Sequence, residues 1–510
     1  MSAIWAAISL RIARRSVVTL VIMGIGIISL MAMVSRRPML RELLRSFPGK
    51  AGVTLLFILL ALSVVALVKF PLDFGEKRWS NPAVWADNPK AAPPAWANLL
   101  TSRDKVRHTE LETTSPDQAE AAGAGEVRTY RMSVNFDYDE PPTFVALKIR
   151  GVTYQERPPT LSMTLARPDG SQVTLFREVV RGPREGEAAP FLRFHEEPRR
   201  VTLSADQAAV DAVVDFYRDQ YGSDLSTSTI RGSMLLAMFG VPDSEEQRGI
   251  RLLRGDYEVR LKAVFANRGD SLEQVGVVVG GSVFGLMGTD SVGRDLAQGL
   301  LFGLPVALFI GIAASVVTTA IGASLGVISG YVGGRTDLLI QRLADVVANV
   351  PLLPLLIFFV FIVGSNLYLI ILFLVAFGWP GLTILLRSMV LQIRSGQLVE
   401  SAVTVGASKW RIMYRHIFPQ MAPFVFAQMI FVAPAALLAE AGLSFLGLGD
   451  PSIPTWGQIL ESGFRTGAVY LGYWWWVIPP GVLIMITAVT FMFLALGMEP
   501  VVNPRLRSAR

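Results

Sequence analysis

The 510-residue chain contains no cysteine. Disulfide staples and thiolate metal sites are therefore excluded, and any large exported region must fold on packing alone. Charge is also scarce: Asp, Glu, Lys and Arg make up 17% of residues, against about 25% in an ordinary soluble domain. Histidine is limited to His108, His195 and His416. No Gly-x-x-x-x-Gly-Lys-Ser/Thr loop occurs, so the sequence offers no phosphate cradle and is not expected to hydrolyse ATP itself. Apolar side chains take the place of the missing charge, with 52% hydrophobic residues and a mean hydropathy of +0.45. These values describe an integral membrane protein. The formal charge of +6 then reads as Lys and Arg held in cytoplasmic loops, with the lipid bilayer and not nucleic acid as the partner.

Charge-free runs locate the spans, because a charged side chain at the bilayer centre is costly and about 20 apolar residues cross the hydrocarbon. Such runs are Ser16–Ser35, Ala51–Val68, Leu296–Gly334, Val346–Leu386, Ile417–Ala439 and Thr466–Met498. The run from Val346 is long enough for two spans and divides naturally at Gly364-Ser365-Asn366, which gives seven expected helices. Arg11, Arg14 and Arg15 lend the first run the look of a signal peptide, but its length and the immediate Arg36 and Arg37 favour a retained extra helix over 1–35.

Between the second and third spans the character changes. RTYRMSVNFDY (128–138), TLSMTLARPDGSQVTLFREVV (160–180) and YEVRLKAVFA (257–266) alternate like strands, the second around a Pro-Asp-Gly turn. SADQAAVDAVVDFYRDQYG (204–222) reads as an amphipathic helix. The expected organisation is an extra helix over 1–35 and a cytoplasmic linker with the first core helix over 36–70. A mainly β domain over 71–283 and a helical membrane domain over 284–510 follow. Basic residues place the loop containing Arg36, Arg37, Arg41, Arg45 and Lys50 in the cytoplasm, with the segment around Arg394, Lys409, Arg411 and Arg415. Counting crossings puts the β domain outside, the tail with Arg505, Arg507 and Arg510 inside, and the N-terminus outside.

The loop over 394–419 is patterned too carefully for a plain connector. Glu400 to Val405 favours helix, Gly406 suits a sharp bend, and Ser408 can cap a second helix from Lys409. Trp410, Met413, Tyr414 and Ile417 fall at helical spacing on one expected apolar stripe, with Arg411 and Arg415 on another face and Pro419 closing the helix. This describes a short docking helix at the membrane surface.

The segment resembles the EAA motif of ABC importer permeases through Glu400, Ala402, Gly406 and Pro419. Ser401 stands where the motif usually has Ala, and Phe418 where Leu usually precedes the Pro. MGTDSVGRD (287–295), GYVGGRTDLLIQRLADVVANVP (330–351), EAGLSFLGLGDPSIPTWGQIL (440–460) and NPRLR (503–507) narrow the resemblance to the second, C-type permease subunit of dipeptide, oligopeptide and nickel importers. It covers 287–510 well and 51–70 loosely. The first helix and the β domain fall outside it.

The resemblance implies the type I importer permease fold and a non-catalytic, force-receiving subunit. It implies as partners a second similar permease, two ABC ATPases and an extracytoplasmic substrate-binding protein. No cofactor is expected on this chain, and ATP with magnesium belongs to the partners. The coupling residues would be Glu400, Ala402, Gly406, Ala407, Trp410, Arg411, Tyr414, Arg415 and Pro419. In MGTDSVGRD, Thr289 or Asp290 can cap the following helix.

Three further sets of residues invite a role. Gly322, Gly326 and Gly330 repeat every fourth residue, a face on which membrane helices pack closely. Gly322 and Gly326 also frame Ser324 in a Gly-x-Ser-x-Gly pattern, so a membrane-embedded serine hydrolase is an alternative, set aside because no histidine is placed near it. Asp345, Glu440 and Ser444 are pathway or gate candidates, since intramembrane acids are functional by default. Asp345 is expected to pair with Arg342, and Glu440 either lines the route or ties the following loop. Trp474-Trp475-Trp476 reads as an interfacial aromatic belt. An exporter or mechanotransmitter with an extracytoplasmic domain is a further alternative, against which the EAA-like loop and GTDSVGRD speak.

Overall fold

The computed structural model describes residues 43–222, 227–243 and 249–502. The expected first span Ser16–Ser35, the basic residues Arg36, Arg37 and Arg41, and the closing NPRLR lie outside the described residues. The chain divides into two compact units. One combines residues up to Pro82 with Ala297 onward, and the other is Ala83–Leu296.

The first unit is helical. Ser46 caps α1 (Phe47–Lys69) by accepting a hydrogen bond from the Gly49 amide, and Pro48 sits in the first turn, where a missing N–H costs nothing. Residues 71–82, placed in the β domain from sequence, pack in this unit, where Trp79 lies against Gly299 and Phe74 against Phe302.

The second unit is mainly β. Its strands are β1 (Thr109–Thr113), β2 (Gln118–Ala122), β3 (Gly125–Phe136), β4 (Val145–Tyr154), β5 (Thr160–Ala166), β6 (Gln172–Val179), β7 (Phe191–Arg193) and β8 (Arg199–Thr202). Helix α2 (Gln207–Tyr221), short α3 (Thr227–Gly232) and α4 (Met234–Met238) come next, then β9 (Gly240–Pro242), β10 (Ile250–Leu252), β11 (Gly255–Phe265) and β12 (Ser271–Val279). Among the described residues the strands form two five-stranded antiparallel sheets, ordered β1-β12-β4-β7, with β8 also on β4, and β2-β3-β11-β5-β6, and a small antiparallel pair β9-β10. The alternation read from sequence is the physical cause. In β11, Tyr257, Val259, Leu261, Ala263 and Phe265 are buried while the residues between them reach outward. Their partners across the core include Val145, Leu147 and Ile149 of β4 and Val275, Val277 and Val279 of β12. The Pro-Asp-Gly turn joins β5 to β6 with Gly170 at φ +82°.

The sequence boundary at 283/284 moves to 296/297, because residues 284–295 fold onto 88–97 within the second unit. The Ala91 amide donates to the Asp290 carbonyl at 2.7 Å and the Thr289 amide to the Ala92 carbonyl at 2.8 Å. The Thr289 hydroxyl bridges the Pro89 carbonyl and the Ala92 amide, while the Asp290 carboxylate accepts from the Val292 and Arg294 amides and pairs with Arg294, closing a turn ahead of the helix.

In the helical unit, α5 (Leu296–Val332) precedes α6 (Gly334–Asn349) and α7 (Leu352–Val363), which meet at a 75° bend. Val350, extended at ψ 125° as a residue before proline must be, makes that break with Pro351. The first of the two spans expected in the run from Val346 is thus broken near its start. The chain breaks again at Gly364, φ +91°, and Asn366 caps α8 (Leu367–Gly378). Then come α9 (Pro380–Arg394), α10 (Gln397–Thr404), α11 (Lys409–Ile412), α12 (Phe418–Phe445), α13 (Trp456–Arg465) and α14 (Trp474–Val502). Among the described residues, five helices or continuous helix pairs are long and apolar enough to cross a membrane, or six with the bent pair.

The aromatic belt is also corrected. Trp474 is 37% exposed, but Trp475 and Trp476 are buried, and the Trp476 indole donates to the Ile459 carbonyl under α13.

Candidate coupling loop and its supports

Residues 397–417 fold as a bent helical loop whose two sides differ sharply. Gly406 takes φ +81°, a conformation nearly closed to residues with a Cβ, and the Ala407 amide returns to the Ala402 carbonyl at 3.0 Å to close the bend. Ser408 then caps α11 through the Arg411 amide. A π-helical turn, Met413–Ile417, follows α11 and runs straight into α12.

Two expectations are corrected here. The stripe read as one face splits between two sides of the loop. Ile412, Met413 and Ile417 are buried with Val399 against Leu386 and Val390, whereas Trp410 is 69% and Tyr414 79% exposed. Pro419 does not close the loop helix either. It sits in the first turn of α12, where its missing N–H is tolerated, and the helix continues into the span. Glu400, Val405, Gly406, Arg411 and Arg415 are exposed with Trp410 and Tyr414, while Ala402 and Ala407 are half-buried against the α9 side. The outward face is therefore aromatic and basic, and the inward face is apolar.

The glycine face supports this loop from below. An added Cβ at Gly322 would lie 3.1 Å from Leu382 Cβ, at Gly326 2.8 Å from Leu386 Cβ, and at Gly330 2.7 Å from Val390 Cβ. Each step of four residues along α5 thus meets a step of four along α9, and the Thr383 hydroxyl donates to the Gly322 carbonyl at 3.2 Å. Ser324 lies on the exposed side of α5, away from this contact.

Among the intramembrane acids, Asp345 and Arg342 are both exposed, and no ion pair links them among the described residues. The expected pair is corrected to a different one. Asp337, about two helical turns before Asp345, binds Arg387 of α9 through two bonds of 2.6 Å. The Ser329 hydroxyl donates to Asp337 at 2.5 Å, and Gln341 donates to Ser329 at 3.1 Å. Sequence reading missed this cluster, although Arg387 abruptly ending a long apolar run was its available signal. Glu440 is 2% exposed and accepts from Ser444 at 2.7 Å.

The chain is similar to known proteins over this same region. Residues 322–508 match the family model described as binding-protein-dependent transport system inner membrane component. A dipeptide transport system permease protein of Bacillus subtilis is 34% identical over 221 residues, which is 43% of this chain and 68% of the relative. An oligopeptide transport system permease protein of Haemophilus influenzae is 33% identical over 43% of this chain and 70% of its own length. A glutathione transport system permease protein of Pectobacterium atrosepticum is 32% identical over 44% of this chain and 73% of its own length. The helical unit, its bent loop and these similarities together lead to one conclusion: the chain belongs to the family of binding-protein-dependent transport system inner membrane components and is a multi-pass permease subunit of an ABC importer.

Proposed function

We propose that this permease moves peptides or peptide-like solutes inward and receives its driving force at Trp410, Arg411, Tyr414 and Arg415. The observation that carries this reading is the exposed aromatic and basic face of a loop whose opposite face is packed on α9. Large aromatics and Arg are the residues that anchor protein interfaces, and leaving them in water has no folding advantage. The partners are two ATPases, which bind ATP and magnesium, a second permease and an extracytoplasmic binding protein. The substrate class follows from relatives named for dipeptide, oligopeptide and glutathione transport.

The proposed topology puts the loop in the cytoplasm and the β-rich unit outside. Helix α5 is 37 residues long, about 55 Å at about 1.5 Å per residue, against hydrocarbon of about 30 Å. The β-rich unit joins its N-terminal end, while Ser329 near its C-terminal end and Arg387 of the helix that leads to the loop both donate to Asp337. The bent pair α6–α7 then counts as one crossing. In this reading the β-rich unit docks the binding protein.

The test is affinity purification of the tagged chain from its native membrane, beside the Gly406→Pro plus Trp410→Ala variant. Recovery of a second permease and Walker-motif ATPases, with the ATPases lost in the variant, is expected. A wild-type chain that brings down no ATPase refutes the reading.

A further inference from the structure

We infer that the Asp337–Arg387 pair locks α6 to α9, so that a displacement of the loop is delivered through α9 to the bent segment α6–α7. The inference rests on the importer reading above. It names Asp337 and Arg387 as positioning residues for the transport cycle.

Helix α9 is connected to the loop with almost no slack, since only Ser395 and Gly396 separate it from α10. On one flank α9 is keyed to α5 by the glycine contacts, a steric fit that fixes spacing. Helix α6 has no such fit. Its buried residues are Ile340 and Ala344, while Leu338, Leu339, Leu343 and Val346 are each more than half exposed. Something other than packing must therefore fix α6 against α9. The guanidinium of Arg387 meets both carboxylate oxygens of Asp337 at 2.6 Å, the fork geometry that fixes angle as well as distance. Ser329 and Gln341 add bonds from α5 and from one turn further along α6, so three helices share one carboxylate. Asp337 stands in the first turn of α6, after the left-handed Gly333 and Gly334, which allow α6 to swing about α5 unless it is held. The bend at Val350-Pro351 then turns any motion of α6 into a motion of α7.

The cysteine-free sequence makes a direct test simple. Spin labels on Val346→Cys in α6 and Leu391→Cys in α9, both at exposed positions, report the separation of the two helices in the full importer purified from native membranes. With the pair intact, one narrow distance is expected, the same without nucleotide and when trapped with ADP and vanadate. Asp337→Asn and Arg387→Gln should each broaden it and abolish ATP-driven uptake of dialanine, while bound ATPases are retained. The exchanged variant Asp337→Arg with Arg387→Asp should narrow the distance and restore uptake. A wild-type distance that shifts on trapping, or an Asp337→Asn chain that keeps a narrow distance and full uptake, overturns the inference and leaves the importer reading standing. A wild-type complex without ATPases overturns both.

Discussion

At the scale of single residues, the same type of side chain takes opposite duties according to the face it occupies. Trp410 and Ile412 are two positions apart, yet one is 69% and the other 1% exposed. Trp410→Ala should leave the melting temperature of the purified chain unchanged and lower ATPase recovery at least tenfold. Ile412→Ala should instead cost about 2–5 kcal/mol, the range for truncating a buried aliphatic side chain, and lower the melting temperature. If both variants melt alike, the division of the loop into an outer and an inner face is wrong. Gly326 makes a second case, because a Cβ there would stand 2.8 Å from Leu386 Cβ and 2.9 Å from the Thr383 carbonyl. Gly326→Leu is expected to separate α5 from α9, at a cost of about 1–3 kcal/mol or more for an overpacked contact, seen as a lower yield of monodisperse chain. Ser324→Ala on the exposed side of the same helix should change neither yield nor uptake, and lost uptake with normal assembly would revive the hydrolase alternative.

Elements in the β-rich unit carry their own pH dependence. Hydrogen bonds from the Arg193 guanidinium at 2.6 and 2.7 Å, and from the Arg184 amide at 2.9 Å, pull the Glu187 carboxyl from 4.5 to about 2. Arg193 also donates to the Gly182 carbonyl, so the pair ties the loop before β7 to that strand. The folded value is depressed, so this stabilisation is complete above about pH 4.5 and is lost as pH falls towards about 2. Asp87 behaves alike: burial would raise it, but hydrogen bonds from Lys148 and Arg200 outweigh burial and hold it below the usual range. Hydrogen exchange of β7 in the full chain should therefore accelerate between about pH 4.5 and 3, and Glu187→Gln should remove most of that acid response. An unchanged pH profile in the variant would show that the pair does not anchor β7.

For the whole molecule, the chain leaves and re-enters the β sheets at one place. The Ser282 amide donates to the Val106 carbonyl at 2.8 Å, and Arg107 pairs with Val283. A linker of a few residues can thus replace 109–279 without stretching the chain. The excised protein should still bring down the second permease and the ATPases, while uptake of peptide presented by the binding protein falls at least tenfold. Undiminished uptake would end the docking role proposed for the unit. The same comparison tests independence, because a helical unit that fails to assemble after excision would show that the β-rich unit supports the membrane fold.

What the sequence determined by itself was whatever depends on local periodicity and local cost. Charge-free runs mark the spans because burying a charge in hydrocarbon is expensive anywhere in a fold. Alternation marks β3, β5, β6 and β11 because successive strand residues face opposite sides, and Gly406 marks a bend because few other residues accept its backbone angles. The loop could be located for the same reason, since its residues are contiguous. Only the tertiary structure decided matters of register and partnership. Packing on α9 selects which side chains of the loop face inward, so Trp410 and Met413 part company although their spacing reads as one stripe. Arg387 finds Asp337 and not a neighbour in sequence, and residues 284–295 join the β-rich unit through bonds to 88–97. Each of these depends on distances between segments far apart in the chain, and without coordinates a single sequence carries no measure of them.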